Sequence, residues 1–156
     1  KPWEYDIEES GFNFRLDEIR SALGLSQMKR LDKFNDLRKK ASEYYTSQLT
    51  DVKGIITPKI SKNNENSFHL YIIRITKDFP LTRDVLFKKL LNNGIRTSVH
   101  YKPLNQFTLF KKMAKSYDKL EISNMLYDEI LSLPMYPTIR KSDQNYVIKS
   151  IKDGII

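Results

Sequence analysis

Between residues 26 and 50 the apolar side chains recur at steps of three and four: Met28, Leu31, Phe34, Leu37, Ala41, then Tyr44 and Tyr45. That period winds them onto one stripe of an α-helix. Lys29, Asp32, Asn35, Asp36, Lys39 and Lys40 fall on the opposite side, so the stretch reads as one long amphipathic helix. No other feature constrains the fold as strongly. A stripe of this length needs a second apolar surface, because packing rather than intrinsic propensity supplies most helix stability. The surface is either the rest of the chain or something outside it.

Upstream, residues 1–16 carry Trp3, Tyr5, Phe12 and Phe14 around Gly11 without helical spacing, which reads as an ordered loop. Asp17 and Glu18 open a shorter helical pattern through Ile19, Ala22 and Leu23, with carboxylates suited to the positive end of the helix dipole. Gly24 is the expected bend or break before the long helix. Residues 51–66 are polar and rich in turn formers, a loop or linker. Phe68 to Ile75 reads as a strand. Thr82 is the expected N-cap of a helix closed by Gly94. Residues 95–101 alternate, with Arg96, Ser98 and His100 on one face. Helices follow at about 107–115 and 119–131, then an extended piece at Leu133–Pro137, where two prolines exclude helix. Ser142 is the expected cap of a last helix to about Lys152. The pattern predicts an α+β fold: a small, mostly antiparallel sheet covered on one face by helices and preceded by the long helix. Residues 1–50 form one region and residues 51–156 a compact α+β domain.

Of 156 residues, 40% are hydrophobic, enough for a packed core. There is no cysteine, which removes disulfides, thiolate metal sites and cysteine nucleophiles. Two histidines, His69 and His100, are too few for a histidine-built metal site, so no metal ligand is assigned. The net charge of +8 permits nucleic acid, anionic membrane or phosphorylated ligands and decides between none of them. The N-terminal segment lacks an apolar signal stretch, and no run is long enough for a membrane helix. The chain reads as soluble and cytoplasmic.

Two constellations stand out chemically. Gly11-Phe12-Asn13-Phe14-Arg15 precedes a helix whose N-terminal amides suit a phosphate, with Asn13 and Arg15 as added donors. Spacing alone favours the plainer reading, Asn13 in a turn and Arg15 in an ion pair with Asp17 or Glu18. Arg96, Ser98 and His100, continuing to Tyr101, either line an anionic pocket or form a solvent-facing strand side. His69 fits a core or interface histidine better than a catalytic one. Glycine-rich phosphate loops, a serine nucleophile elbow and a His-Glu-x-x-His pattern are all missing from the sequence.

Four blocks nonetheless resemble the DegT/DnrJ/StrS family of pyridoxal-phosphate (PLP) sugar aminotransferases. They are Gly11-Phe12-Asn13-Phe14-Arg15 with the following Ala22-Leu23-Gly24, Gln27-Met28 and Leu31-Asp32; Ser67-Phe68-His69-Leu70-Tyr71; Gly94-Ile95 leading to Val99-His100-Tyr101-Lys102-Pro103; and Ile130-Leu131-Ser132-Leu133-Pro134-Met135-Tyr136-Pro137. All four occur in the family's order. The resemblance implies the C-terminal part of a fold-type I enzyme acting on a nucleotide-linked keto sugar with an amino donor such as glutamate, for cell-wall or surface polysaccharide. It implies a homodimer through residues 1–50, in which Asn13 reaches the PLP phosphate of the partner subunit. Arg15, His100 and Tyr101 are the implied substrate contacts. The Schiff-base lysine belongs to a domain without counterpart here, so no catalytic residue is assigned and the chain alone is expected to be inactive. Asn105 departs from the family, many of whose members carry histidine there, and this leaves the sugar open. Two alternatives stand beside this reading: a basic regulatory or nucleic-acid-binding module, with nucleic acid the less favoured partner, and a family member with dehydratase-like activity.

Overall fold

A computed structural model describes residues 11–12, 14–61, 63–113 and 120–154. The chain forms two compact units, Lys1–Asp32 and Lys33–Ile156. The first unit contains helix α1, Glu18–Met28, which starts where Asp17 accepts the Arg20 amide at 2.9 Å. Gly24 lies inside α1 rather than ending it; the chain turns at Lys29-Arg30, where the Arg30 amide donates to the Gln27 carbonyl. Helix α2, Leu31–Leu49, begins at the boundary and runs through the second unit.

Among the described residues, three strands make one antiparallel sheet in the order β1-β2-β3: β1 Ile55–Ile56, β2 Tyr71–Ile75 and β3 Ile130–Leu133. Register sorts their side chains by face. Tyr71 pairs with Leu133, Ile73 with Leu131 and Ile75 with Ile55, and all six are buried. The alternate pairs, Ile72 with Ser132 and Arg74 with Ile130, lie on the other face. On the core face Tyr45 and Leu49 of α2, Leu86 and Leu90 of α3 (Arg83–Asn92), and Val147, Ile148 and Ile151 of α6 (Lys141–Lys152) join the same cluster. An α+β fold with a small antiparallel sheet is therefore what the structure has.

Aromatic packing fixes α2 against β2. The rings of Tyr45 and Tyr71 stack with centroids 5.1 Å apart. Tyr45 donates to the Pro134 carbonyl at 3.2 Å, and the Tyr71 hydroxyl lies 2.8 Å from Thr46 Oγ1. Burial resists phenolate formation and pushes the Tyr71 hydroxyl up to about 12; Tyr45 moves in the same direction for the same reason. Gly54 makes the link from α2 to β1 possible. Its φ is +81°, its carbonyl accepts the Thr76 amide at 2.8 Å, and a Cβ there would lie 2.1 Å from the Phe79 amide nitrogen.

Several local expectations hold and others shift. Thr82 caps α3, its hydroxyl accepting the Val85 amide, and Gly94 closes it with φ +74°. The strand over 68–75 starts only at Tyr71, because Phe68 sits at φ +51° and its amide is taken by the Asn66 side chain. The helix expected to 131 ends at Glu129, and the chain enters β3 at once: α5 is Glu121–Glu129. Arg140, not Ser142, occupies the cap position of α6, without a side-chain cap bond. The short helix near 107–115 is α4, Thr108–Met113, within the described residues. No described helix is long and apolar enough to cross a membrane.

Candidate functional site

The outer face of the sheet supports the site. Residues 95–101 do not form the expected full strand; they touch the sheet through one bridge, Ser98 to Ser132. The Ser132 amide donates to the Ser98 carbonyl at 2.8 Å and the Ser98 amide to the Ser132 carbonyl at 3.2 Å. That bridge brings His100 over β3, where its Nδ1 lies 2.8 Å from Ser132 Oγ. The His100 and Tyr101 rings meet edge to face at 4.6 Å, across a cis peptide bond. Arg96 and Ser98, expected on the same polar face, are exposed and do not line the hollow described next.

From His100 the chain turns through Pro103 and a 3₁₀ turn, Leu104–Gln106, against α5. Between this loop and α5 lies a hollow of about 460 Å³, lined by His100, Tyr101, Asn105, Leu126 and Tyr127 among others. Side-chain amides bind its two walls together: Asn124 Oδ1 accepts from Gln106 Nε2 at 2.9 Å and from Asn105 Nδ2 at 3.4 Å. Asn105 Oδ1 is buried without a hydrogen-bond partner, an arrangement that is costly unless something supplies a donor.

Two arginines anchor the α5 wall. Arg74 of β2 grips Glu129 at 2.6 and 2.9 Å, tying the end of α5 to the sheet. Arg83, nearly buried, donates to the Ile130 carbonyl at 3.1 Å and places its guanidinium 5.3 Å from the Tyr127 ring centre. The hollow is thus a supported cleft with an imidazole, two phenols and an amide on largely apolar walls, the make-up of a small-molecule site.

The serine–histidine contact is not a nucleophile and its base. Ser132 is 4% exposed, within the sheet, so its hydroxyl meets no substrate. In a serine triad the base faces the nucleophile through Nε2 while a carboxylate holds Nδ1; here Nδ1 faces the serine, and no carboxylate is seen on the ring among the described residues. The hollow can bind and orient.

The remaining expected residues lie elsewhere. Asn13 falls outside the described residues. Arg15 belongs to the first unit and is exposed ahead of α1. The α1 amides fit less well than the sequence suggested, because the Asp17 carboxylate already takes the Arg20 amide and pairs with the Arg20 guanidinium at 3.3 Å. His69 is exposed and precedes β2 rather than lying in it. Sequence reasoning missed Ser132, Arg83 and Tyr127. A lone serine within Ile130-Leu131-Ser132-Leu133 was the one available signal.

Comparison with known proteins gives a consistent result. The sequence profile of the DegT/DnrJ/EryC1/StrS aminotransferase family matches residues 2–152. A UDP-4-amino-4,6-dideoxy-N-acetyl-beta-L-altrosamine transaminase of Campylobacter jejuni is 32% identical over 93% of this chain and 38% of its own length. The spore coat polysaccharide biosynthesis protein SpsC of Bacillus subtilis is 30% identical over 97% of this chain and 40% of its own. Among solved structures, Helicobacter pylori PseC, an aminotransferase involved in the biosynthesis of pseudoaminic acid, superposes with a TM-score of 0.85 at 27% identity, covering 98% of this chain and 41% of its own. The chain spans about 40% of the length of these relatives.

Proposed function

Because the chain belongs to the DegT/DnrJ/EryC1/StrS aminotransferase family, we propose that it is the C-terminal part of a PLP-dependent enzyme. That enzyme transfers an amino group from a donor such as glutamate to a nucleotide-linked keto sugar, for cell-wall or surface polysaccharide. The observation that carries the reading is the family match over residues 2–152, together with relatives that are themselves named as sugar transaminases. In the assembled enzyme PLP supplies the electron sink, and the protein supplies binding and orientation. His100 and Tyr101, which line the supported hollow, contact the sugar nucleotide. Arg15 offers a forked donor to an anionic group, and Asn13 reaches the cofactor phosphate of a partner subunit.

The dimer forms through residues 1–50. Phe12 and Phe14, 87% and 86% exposed, and the uncovered apolar residues of α1 support that reading. The covalent lysine lies outside these 156 residues, so the chain alone is inactive. Incubating it with PLP, reducing with borohydride and mapping modified lysines by mass spectrometry is expected to give only scattered labelling. Specific modification of one lysine would overturn the inactivity. For the activity itself, the full-length gene product is expected to release 2-oxoglutarate from glutamate when given a nucleotide-linked keto sugar. Loss of the sugar's hydroxyl without amination would instead identify a dehydratase-like enzyme.

A further inference from the structure

We propose that Ser132 is a positioning residue that holds His100 with a proton on Nε2, so that the hollow meets a hydrogen-bond donor from this ring in either charge state. The inference rests on the proposed function only in taking the hollow as the substrate side; the tautomer follows from the contacts themselves.

Ser132 Oγ lies 2.8 Å from His100 Nδ1, and no other partner of this hydroxyl is seen among the described residues. A hydroxyl has one proton and two lone pairs. With Ser132 4% exposed, a proton not given to Nδ1 would be buried without an acceptor, which is unfavourable. The hydroxyl therefore donates to Nδ1, and the neutral imidazole carries its own proton on Nε2. When the ring takes up a second proton, Nδ1–H donates back to Oγ and Nε2–H is unchanged, at the cost of leaving the hydroxyl proton without an acceptor. Serine can make this reversal because its oxygen both donates and accepts. A carboxylate or carbonyl in its place would accept only, fixing the proton on Nδ1 and turning Nε2 into an acceptor.

The geometry is held from both sides. The paired backbone bonds between Ser132 and Ser98 fix the chain two residues before His100, and the Tyr101 and imidazole rings meet edge to face. Nδ1 is committed to the sheet while the ring lines the hollow, so Nε2 is the nitrogen left to a ligand. It selects an acceptor atom at that point.

The two histidines make the test direct. In the full chain labelled with ¹⁵N-histidine, long-range ¹H–¹⁵N spectra in mildly alkaline buffer read each ring's tautomer. His100 is expected to show the single Nε2–H pattern, and exposed His69 the average of both forms. An Nδ1–H pattern at His100, or an average like that of His69, would overturn the proposal. Ser132→Ala is expected to convert His100 to the averaged pattern with the backbone amide spectrum retained; an unchanged His100 in that variant would also overturn it. Should the alanine variant fail to fold, Ser132→Thr, which keeps the hydroxyl, is expected to preserve the pattern, and its loss in the folded threonine variant counts against the proposal. No cofactor or sugar is present in these measurements, so an inactive full-length enzyme would overturn the proposed function and leave the tautomer result standing.

Discussion

Helices α1 and α2 are written in the same periodic code and meet different fates. In α1, Ile19, Leu23, Leu25 and Met28 are all at least 60% exposed and no residue is buried. In α2, Ala41, Ser42, Tyr45 and Leu49 are buried, and the last two are inaccessible. Spacing sets which residues share a stripe. It does not say what covers the stripe, and only for α2 does the rest of its unit provide a surface: the Tyr71 ring, β1 and the α6 helix, whose Gln144 reaches the Ala41 carbonyl at 2.9 Å.

The largest test of that contrast is a pair of truncations. Leu49→Ala is expected to destabilise the chain by about 2–5 kcal/mol, the range for deleting a packed leucine. Leu23→Ala, in the chain diluted until it is monomeric, is expected to stay within about 0.5 kcal/mol, as for a surface change. Urea titrations of both variants read the difference. A loss at Leu23 comparable to that at Leu49 would mean that α1 is covered in solution.

Glycines divide the same way, with a smaller effect of opposite signs. Gly54→Ala is expected to cost at least about 1–3 kcal/mol, because the positive φ is strained for alanine and the new methyl meets the Phe79 backbone. Gly24→Ala, inside α1 with open space around it, is expected to stabilise its helix by up to about 1 kcal/mol. Thermal melts followed by circular dichroism distinguish the two, and equal signs would break the comparison.

The sequence therefore spoke clearly where a residue acts on its own backbone and less where a partner decides. Thr82 and Gly94 mark the ends of α3 by local chemistry. β1 is two residues long, too short for any alternation, and exists because Ile55 pairs with Ile75. The α5–β3 junction was hidden because Leu126 and Ile130 continue a helical step; pairing with β2 and the Arg83 bond to the Ile130 carbonyl make the chain extend there. His100 and Tyr101, which line the hollow, stood out in the sequence through the family blocks. Ser132 was not, since its role depends on an antiparallel bridge to Ser98 from a distant segment.

The smallest expected effect is confined to alkaline solution and again belongs to the α2 side, because α1 contains no tyrosine. Tyr71 ionises near 12 in the folded chain against its ordinary value of 10.0, and burial is the main cause. Above pH 10 the unfolded chain releases this proton while the folded chain still holds it, so the unfolded state gains and stability falls as pH rises to about 12. Tyr45, raised by the same burial, adds to the fall. Melting temperatures measured from pH 9 upward are expected to stay level and then decline through this window. Tyr71→Phe removes one of the two groups and is expected to make the decline shallower, at a constant cost for losing the contact with Thr46 Oγ1. A decline of unchanged steepness in that variant would place the linkage on other tyrosines and detach it from the packing of α2 against β2.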